Sequence, residues 1–174
     1  MDEIEIGAIE ISPLRLDEAE AVVALAGRVW RTHYPSIISA AQIEYMLAQR
    51  YRPVLVRQFI ARGDLWLAAR AGAANAELVG FAHGHPLSDG DYKLDKLYVD
   101  LDWQRHGIGG ELINAMAERA VRLGHTRLVL RVNRQNQHAI NAYLKHGFTV
   151  ATIYLEDIGG GHVMDDYVMT KELA

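Results

Sequence analysis

The amino-acid sequence predicts an α/β fold in which helices flank a mixed, mostly antiparallel sheet of about seven strands. Seven short runs are rich in aliphatic and β-branched residues and are bounded by turn residues, which is typical of strands. Other stretches repeat apolar residues every three or four positions, which is typical of helices packed on one face. The chain has 174 residues, 50% of them hydrophobic, enough to bury one sizeable core. We therefore expect residues 1–174 to form a single domain.

The N-terminal third of the chain is mainly helical by pattern. A weak strand over residues 4–11 is followed by a helix over 17–33, whose first turn is acidic where the helix dipole favours negative charge. Ser39 and Gln42 have the spacing of a capping box and predict a second helix up to about residue 51. Pro53 opens a third helix, which extends to residue 62.

The rest of the chain alternates between strands and two further helices. Short polar turns separate the first three of these strands, so they predict an antiparallel meander. One helix is opened by a Gly-rich segment and ended by Gly124. The predicted strands cover residues 65–70, 78–85, 92–99, 128–132, 149–158 and 163–171, and the second helix covers 137–146.

The composition excludes several classes of function. Lys and Arg number 18 against 22 Asp and Glu, and the net charge of −4 argues against a nucleic-acid partner and suits a cationic or neutral substrate. Cysteine is absent, which excludes disulfides, thiolate nucleophiles and Cys-ligated metals. No stretch approaches the roughly 18 apolar residues of a membrane span, and the N-terminus is acidic where a signal peptide is basic. We expect a cytoplasmic protein with no membrane partner.

The segment 104–110, QRHGIGG, follows a predicted strand and opens a predicted helix. Glycines allow a ligand close to the backbone, and the free N–H groups of a helix start attract anions such as a pyrophosphate. Arg105 and His106 add further donors. The spacing matches neither a P-loop nor the Gly-x-Gly-x-x-Gly of a dinucleotide-binding turn. The alternative is a tight loop in which the glycines serve only the turn geometry.

Two ordered blocks resemble the GNAT superfamily of acyl-CoA-dependent N-acyltransferases. Gln104, Gly107 and Gly109 match the pattern Arg/Gln-x-x-Gly-x-Gly/Ala directly after a strand. The segment 133–148, NRQNQHAINAYLKHGF, is similar to the pattern Asn-x-x-Ala-x-x-x-Tyr-x-x-x-Gly-Phe. The resemblance is specific from about residue 65 to the C-terminus. Residues 33–43 and 164–169 look like a bacterial subgroup that includes polyamine acetyltransferases.

The resemblance implies acetyl-CoA as co-substrate and a GNAT-like sheet that splays at the cofactor cleft. Main-chain groups of the strand before the loop would pair with the pantetheine arm, and the loop would bind the pyrophosphate. Asn136 would bond the pantetheine arm or cap its own helix. The cofactor-binding residues implied in this way are Leu97, Tyr98, Val99, Gln104, Arg105, His106, Gly107, Ile108, Gly109, Gly110, Asn136 and Tyr143.

Tyr143 and Asp95 are the predicted catalytic residues. Amine attack on a thioester expels a thiolate, and the phenol of Tyr143 would protonate or stabilise it as a general acid. The alternative for Tyr143 is a buried core aromatic. Some family members carry a Glu at the position of Lys93, which in its charged form cannot act as a base, so Asp95 is the nearest carboxylate.

Strand alternation predicts that Asp95 shares a face with Leu97 and Val99, while Lys96 points the other way. The alternatives to Asp95 as base are His83 or His85 on the neighbouring strand, or ordered waters that pass the proton to bulk solvent.

The acceptor amine is predicted to contact Tyr34, His83 and His85. Tyr34 lies in the loop that the family uses for substrate, and the two histidines share one strand face. No third ligand is evident beside the histidines, so no metal site is expected. Asp165 and Asp166 either bind a cationic amine or cap a hairpin.

The predicted function is transfer of an acetyl group from acetyl-CoA to a small-molecule primary amine, a polyamine or another small amine. No Cys and no Ser in a Gly-x-Ser-x-Gly elbow is placed to carry an acyl group, so direct transfer in a ternary complex is expected. A backbone N–H of Leu97 or Val99 would hold the oxyanion. The alternatives are a catalytically silent acyl-CoA-binding sensor and a nucleotide-phosphate binding module. Many members of the family dimerise, so a homodimer is a further expectation.

Overall fold

The computed structural model describes residues 8–72 and 76–173. In these residues seven strands form one sheet in the order β1-β2-β3-β4-β5-β7-β6, with five α-helices on its two faces. The elements are β1 (Ile9–Pro13), α1 (Ala19–His33), α2 (Ala40–Arg50), α3 (Pro53–Ala61), β2 (Leu65–Ala71), β3 (Glu77–Pro86), β4 (Tyr92–Val99), α4 (Ile108–Arg122), β5 (Arg127–Asn133), α5 (Gln137–Lys145), β6 (Thr149–Gly159) and β7 (His162–Glu172).

The predicted α/β class and the mostly antiparallel sheet are confirmed, since every neighbouring pair of strands is antiparallel except β4 and β5. Most predicted ends differ from the observed ones by one or two residues. Ile4 and Ile6 of the first predicted strand lie outside the described residues. Its described part continues through Pro13, which ends an edge strand, where a missing N–H donor is tolerated. No helix of the described residues is long and apolar enough to cross a membrane.

Only one of the two hydrogen bonds of the predicted capping box is present at the start of α2. The Ser39 hydroxyl accepts a hydrogen bond from the Gln42 backbone N–H at 3.1 Å, as an N-cap does. The Gln42 side chain does not return to the Ser39 backbone. It donates instead to the carbonyl of Val163 at 3.0 Å and so connects α2 to β7.

The two faces of the sheet carry separate cores. One face packs under α4 and α5 and includes Tyr92, Leu94 and Met116. The opposite face packs under α1, α2 and α3 and includes Trp30 and Phe81. Residues of one strand alternate between these cores because successive side chains of a strand point to opposite faces.

Two glycines of β3 bring α4 close to the sheet. A Cβ at Gly80 would lie 3.4 Å from side-chain atoms of both Ile108 and Leu112, and a Cβ at Gly84 would lie 2.6 Å from the sulfur of Met116. This close approach fixes where α4 begins, and its first turn forms one wall of the cleft described below.

The parallel pair β4 and β5 is the shortest ladder of the sheet. It contains only the pairs Tyr92↔Leu128 and Lys93↔Val129, after which the two strands diverge. β5 continues to pair with β7 as far as Asn133, and β4 with β3 as far as Val99. The β5-facing edge of β4 from residue 94 to 99 therefore has no strand partner among the described residues.

The substitution Gly84→Ala tests the close packing of α4. We expect it to lower the free energy of unfolding by about 1–3 kcal/mol, the usual cost of overpacking a core, because its Cβ would meet both Met116 and the Tyr92 ring. Urea denaturation measures this difference. In the control Gly27→Ala, the added Cβ meets only the flexible end of Arg31. We expect that helical variant to be neutral or slightly stabilised, and equal stability of the two variants would contradict the interpretation.

Candidate active site

The divergence of β4 and β5 opens a cleft of about 490 Å³. The loop after β4 and the first turn of α4 form one end of the cleft. Residues of α1, α2, β5 and β7, together with the middle of β4, form the other end, and α5 lies beside both. We call these the loop end and the acceptor end. The walls thus combine an unpaired strand edge, a helix N-terminus and a set of aromatic and charged side chains.

The loop end is shaped by two residues with left-handed backbone conformations. Gly107, the N-cap of α4, has φ 79°, and Arg105 has φ 66°, the only positive φ of a non-glycine residue in the described chain. The side chain of Gln104 donates to the carbonyl of Val99 at 3.2 Å, which satisfies the last acceptor of β4. This turn presents the first N–H groups of α4, which have no partners within the helix, to the cleft.

The predicted anion-binding residues lie at this end, with one exception. Gln104, Arg105 and the segment 107–110 line the cleft, whereas His106 is exposed outside the lining, with its ring 6.3 Å from that of Trp103. The side chain of Ile108 is 1% exposed and packs in the core, so only its backbone faces the cleft.

The neighbouring strand β4 presents main-chain groups to the cleft. Leu97 and Val99 pack against the core under α4, and Tyr98 packs on the opposite side against Phe81, with ring centroids 5.8 Å apart. Because the side chains leave in both directions, the unpaired backbone edge between them is open. The predicted residues Leu97, Tyr98 and Val99 all line the cleft.

Tyr143 lies on α5 between the two ends and lines the cleft. Its ring packs edge-on against Phe148 with centroids 5.6 Å apart. Burial raises the pKa of the Tyr143 phenol, so the hydroxyl stays protonated at neutral pH. Tyr143 thus packs against a core aromatic, as the structural alternative required, and at the same time faces the cleft.

Asn136 joins the start of α5 to the end of α1. It is 4% exposed, and its side-chain oxygen accepts from the Ala139 N–H at 3.3 Å as the helix N-cap. The same oxygen lies 3.0 Å from His33 Nε2, and its amide nitrogen donates to the Tyr34 hydroxyl at 3.5 Å. Asn136 therefore caps α5 and also lines the cleft.

Tyr34 forms part of the aromatic wall of the acceptor end. Its ring stacks on Trp30 with centroids 4.3 Å apart, and burial holds the pKa of its phenol well above the usual range. The predicted contact residue Tyr34 thus lies in the cleft. Tyr51, which the sequence did not single out, lines the same wall.

The predicted face of Asp95 is wrong. The pairing of β3 with β4 shifts by one residue, so that His83 pairs with Lys96 but Gly84 with Leu94, and Asp95 is the extra residue of a β-bulge. The side chains of Asp95 and Lys96 therefore share one face and bond to each other, whereas Leu97 packs on the other face. Strict alternation does not hold across a bulge.

Cationic side chains surround the Asp95 carboxylate. Lys96 bonds to one oxygen, and Lys93 Nζ lies 3.0 Å from the other. Burial alone would raise the pKa of Asp95, but the facing imidazoles of His83 and His85 and the charges of Lys96 and Lys93 hold it well below the usual range. A carboxylate with such a low pKa accepts protons poorly at neutral pH.

His83 and His85 do not line the main cleft. They lie behind Asp95, in a separate smaller depression. His83 is 1% exposed, stacks on Trp66 with centroids 4.2 Å apart, and has Nε2 2.6 Å from Asp64 Oδ2. Burial lowers the pKa of His83, so the ring is neutral at neutral pH.

Asp166 is the second carboxylate of the acceptor end. It lies on β7 opposite Asn133, is 3% exposed and lines the cleft. Burial raises the pKa of Asp166 to about 6, against the lowering effect of Arg131, Arg50 and Lys93. The sequence allowed two roles for Asp166, binding of an amine or capping of a hairpin, and in the structure Asp166 lies in the cleft.

Sequence reasoning missed two arginines of the acceptor end. Arg50 ends α2, and Arg131 lies in the middle of β5. One signal was available for Arg131, which interrupts an apolar strand between the buried residues Leu130 and Val132. A charged residue there must face away from that core. No comparable signal marks Arg50.

The open sheet, the unpaired edge of β4 and the glycine-lined helix start define an acyl-CoA-dependent transferase. The sequence matches the acetyltransferase (GNAT) family over residues 30–148, and the chain belongs to this family. It is therefore an N-acetyltransferase whose acyl donor is acetyl-CoA.

Particular relatives cover 82% or more of the chain. It is 25% identical over 167 residues to the spermidine N(1)-acetyltransferase of Thermoplasma acidophilum, which covers 95% of this chain and 98% of that protein. It is 32% identical over 145 residues to the peptidyl-lysine N-acetyltransferase YjaB of Salmonella typhimurium, covering 82% and 84%. The structure resembles that of the PaiA N-acetyltransferase from Thermoplasma acidophilum in complex with coenzyme A, with TM-score 0.80, 26% identity and coverage of 95% and 99%.

Removing the buried charge of Asp166 is expected to stabilise the protein. Because its pKa is higher in the folded chain than the usual 3.8 of an Asp, folding loses stability as the pH rises between these two values. We expect Asp166→Asn to melt a few degrees above the unsubstituted protein at pH 8, with a smaller gap at pH 5. The partly exposed neighbour Asp165 is the control, and Asp165→Asn should give no gain. A gap that does not change with pH would contradict the assignment.

Proposed function

We propose that the protein transfers the acetyl group of acetyl-CoA directly to a primary amine in a ternary complex. The observation that carries this proposal is the unpaired edge of β4. It runs along the cleft from the glycine-lined helix start at the loop end, past Tyr143, to a buried carboxylate at the acceptor end. A strand edge, a phosphate site and an acid within one cleft are what a thioester donor with a pyrophosphate requires.

The residues of the loop end fit the cofactor. The N–H groups of Ile108, Gly109 and Gly110 begin α4 and favour an anion there. Arg105 and Lys145 add positive charge to the same wall. A Cβ at Gly110 would lie 2.5 Å from His146 Nε2, so a side chain at this position would displace the His146 ring at the end of α5. When bound, acetyl-CoA supplies an acetyl group activated as a thioester.

The backbone of β4 would hold the pantetheine arm by strand-like hydrogen bonds, because Leu97, Tyr98 and Val99 line the cleft and have no strand partner on the side that faces β5. A backbone N–H of this strand, that of Leu97 or Val99, stabilises negative charge on the carbonyl oxygen. Asn136 positions the start of α5 and thereby Tyr143.

Tyr143 is proposed as the general acid. Its phenol stays protonated at neutral pH, which is the state that donates a hydrogen bond or a proton to a thiolate. The ring packs against Phe148 and lines the cleft, so its position is set by the fold before a substrate binds.

Asp166 is proposed as the proton acceptor for the attacking amine. Its pKa of about 6 leaves it ionised at neutral pH and still able to accept a proton. The role that the sequence assigned to Asp95 stays a prediction, and two adjacent lysines weaken it. In this view Asp95 orders Lys93 and Lys96 at the wall of the cleft.

The proposed class of acceptor is based first on two relatives, one named for spermidine and one for peptidyl-lysine. Both substrates present a primary amine at the end of an alkyl chain. A primary amine on a flexible chain also fits an acceptor end with an aromatic wall and a carboxylate. Polyamines are one class of such amines.

Tyr143→Phe tests the enzyme against a silent sensor of acyl-CoA. We expect kcat, measured by release of free CoA with an accepted amine, to fall by about 10²–10⁴-fold because the acid is lost. Acetyl-CoA should still raise the melting temperature, since the backbone groups that bind it are unchanged. Tyr154→Phe, on β6 outside the cleft, is the matched control and should keep full turnover. Unchanged turnover in Tyr143→Phe would contradict the assignment of Tyr143 as the general acid.

The pH dependence tests the base. Asp166 must be deprotonated to act, so kcat/KM should rise steeply as the pH increases through about 6. Above this value only the ionisation of the amine should remain visible. In Asp166→Asn the bend near pH 6 should disappear and kcat/KM should fall by about 10²-fold or more. A bend that persists in this variant would assign the base elsewhere, and Asp95→Asn would then be the next variant to measure.

A further inference from the structure

The charge of the acceptor end is opposite to that of the whole chain. The formal net charge is −4, yet four cationic side chains and two carboxylates of the described residues line this end. The cations are Arg50, Lys93, Lys96 and Arg131, and the carboxylates are Asp95 and Asp166. An excess of positive charge in a cleft selects against cationic ligands.

The positive charges of the two lysines are already compensated by a carboxylate. Both contact the single carboxylate of Asp95, Lys93 at 3.0 Å and Lys96 more closely. Lys96 is 9% exposed and further shielded by the rings of Tyr51 and Phe59, at 5.6 Å and 5.8 Å. Because Asp95 is paired with both lysines, this cluster offers no free acidic group to a second amine.

The two arginines are less compensated. Arg131 has Glu156 at 3.3 Å in a partly exposed pair and lies over the ring of Tyr154. Arg50 donates to the sulfur of Met164 at 3.2 Å and has no carboxylate oxygen within 4 Å among the described residues. A guanidinium in this position is suited to bind a carboxylate with two parallel hydrogen bonds.

Asp166 lies among these cations. The charges of Arg131, Arg50 and Lys93 all act on its carboxyl group. A primary amine can therefore meet one carboxylate in the acceptor end, while the rest of an elongated substrate meets guanidinium groups. A polyamine would bring its second cation into the same cleft as Arg50 and Arg131, and like charges repel.

We propose that the acceptor is a primary amine that carries a carboxylate at the far end of its chain, and that Arg50 and Arg131 bind this carboxylate. The inference rests on the proposed function, because it names the substrate class of the same site. It also separates this chain from its relative named for spermidine.

The test is a matched panel of amines that differ only in the charge at the far end. For a four-carbon chain the probes are 4-aminobutanoate, butylamine and 1,4-diaminobutane. For six carbons they are 6-aminohexanoate, hexylamine and 1,6-diaminohexane. Release of free CoA at saturating acetyl-CoA gives kcat/KM for each. We expect the carboxylate to exceed the diamine by at least about tenfold in one or both sets, with the neutral amine between them.

Three further measurements show whether the arginines cause the preference. Added salt should shrink the ratio, because it screens charges that solvent reaches. Arg50→Gln and Arg131→Gln should each lower the ratio and leave the KM for acetyl-CoA unchanged, whereas a raised KM for acetyl-CoA would assign the arginines to the donor instead. Arg122→Gln, on the exposed surface of α4, is the control and should keep the ratio.

Equal rates across the panel, or faster reaction of the diamines, would overturn the inference while leaving the acetyltransferase intact. If no amine releases CoA, the proposed function fails, and melting temperatures with the same six compounds decide the inference separately. Selective stabilisation by the carboxylates would support it, and equal or diamine-selective stabilisation would overturn it.

Discussion

The structure of the site depends on the separation of β4 from β5. Main-chain N–H and C=O groups away from water require partners, and a sheet normally supplies them from the next strand. Here the parallel ladder stops after Lys93, while both strands continue through their other neighbours, β3 and β7. The unpaired edge is thus held open by rigid elements on both sides. A ligand with amide groups of its own is the natural partner for such an edge.

The two carboxylates of the acceptor end show how environment divides one residue type into two roles. Asp95 sits in a β-bulge between two lysines, and its pKa falls well below the usual range. Asp166 is buried, no cationic nitrogen of the described residues lies within 4 Å of its carboxylate, and its pKa rises to about 6. The first therefore behaves as a fixed counter-ion and the second as a titratable group. The difference follows from desolvation and from neighbouring charge rather than from intrinsic chemistry.

The two ends of the cleft are built from different kinds of groups. Its loop end is built from the loop after β4 and the start of α4, where the groups that face the ligand are mainly backbone. Its acceptor end is built from side chains of α1, α2, β4, β5 and β7, with the Trp30 and Tyr34 stack as one wall. Backbone geometry suits a donor shared by a whole family, and side chains can differ between its members. Such a division would let one kind of donor site serve amines that differ in the rest of the molecule, as do the spermidine and the peptidyl-lysine for which two relatives are named.

The sequence by itself determined the elements and the loop end, because both depend on neighbours along the chain. Apolar periodicity fixed most helix and strand ends to within one or two residues, and the spacing of Gln104, Gly107 and Gly109 identified the helix start that faces the cleft. Only the tertiary structure decided the acceptor end. The bulge at Asp95 reversed the face that alternation predicts, and it arises from pairing with β3. Arg50 and Asp166 are 116 positions apart in the sequence, and their shared cleft follows from packing α2 over the sheet, since charge and burial at a point depend on every element that meets there.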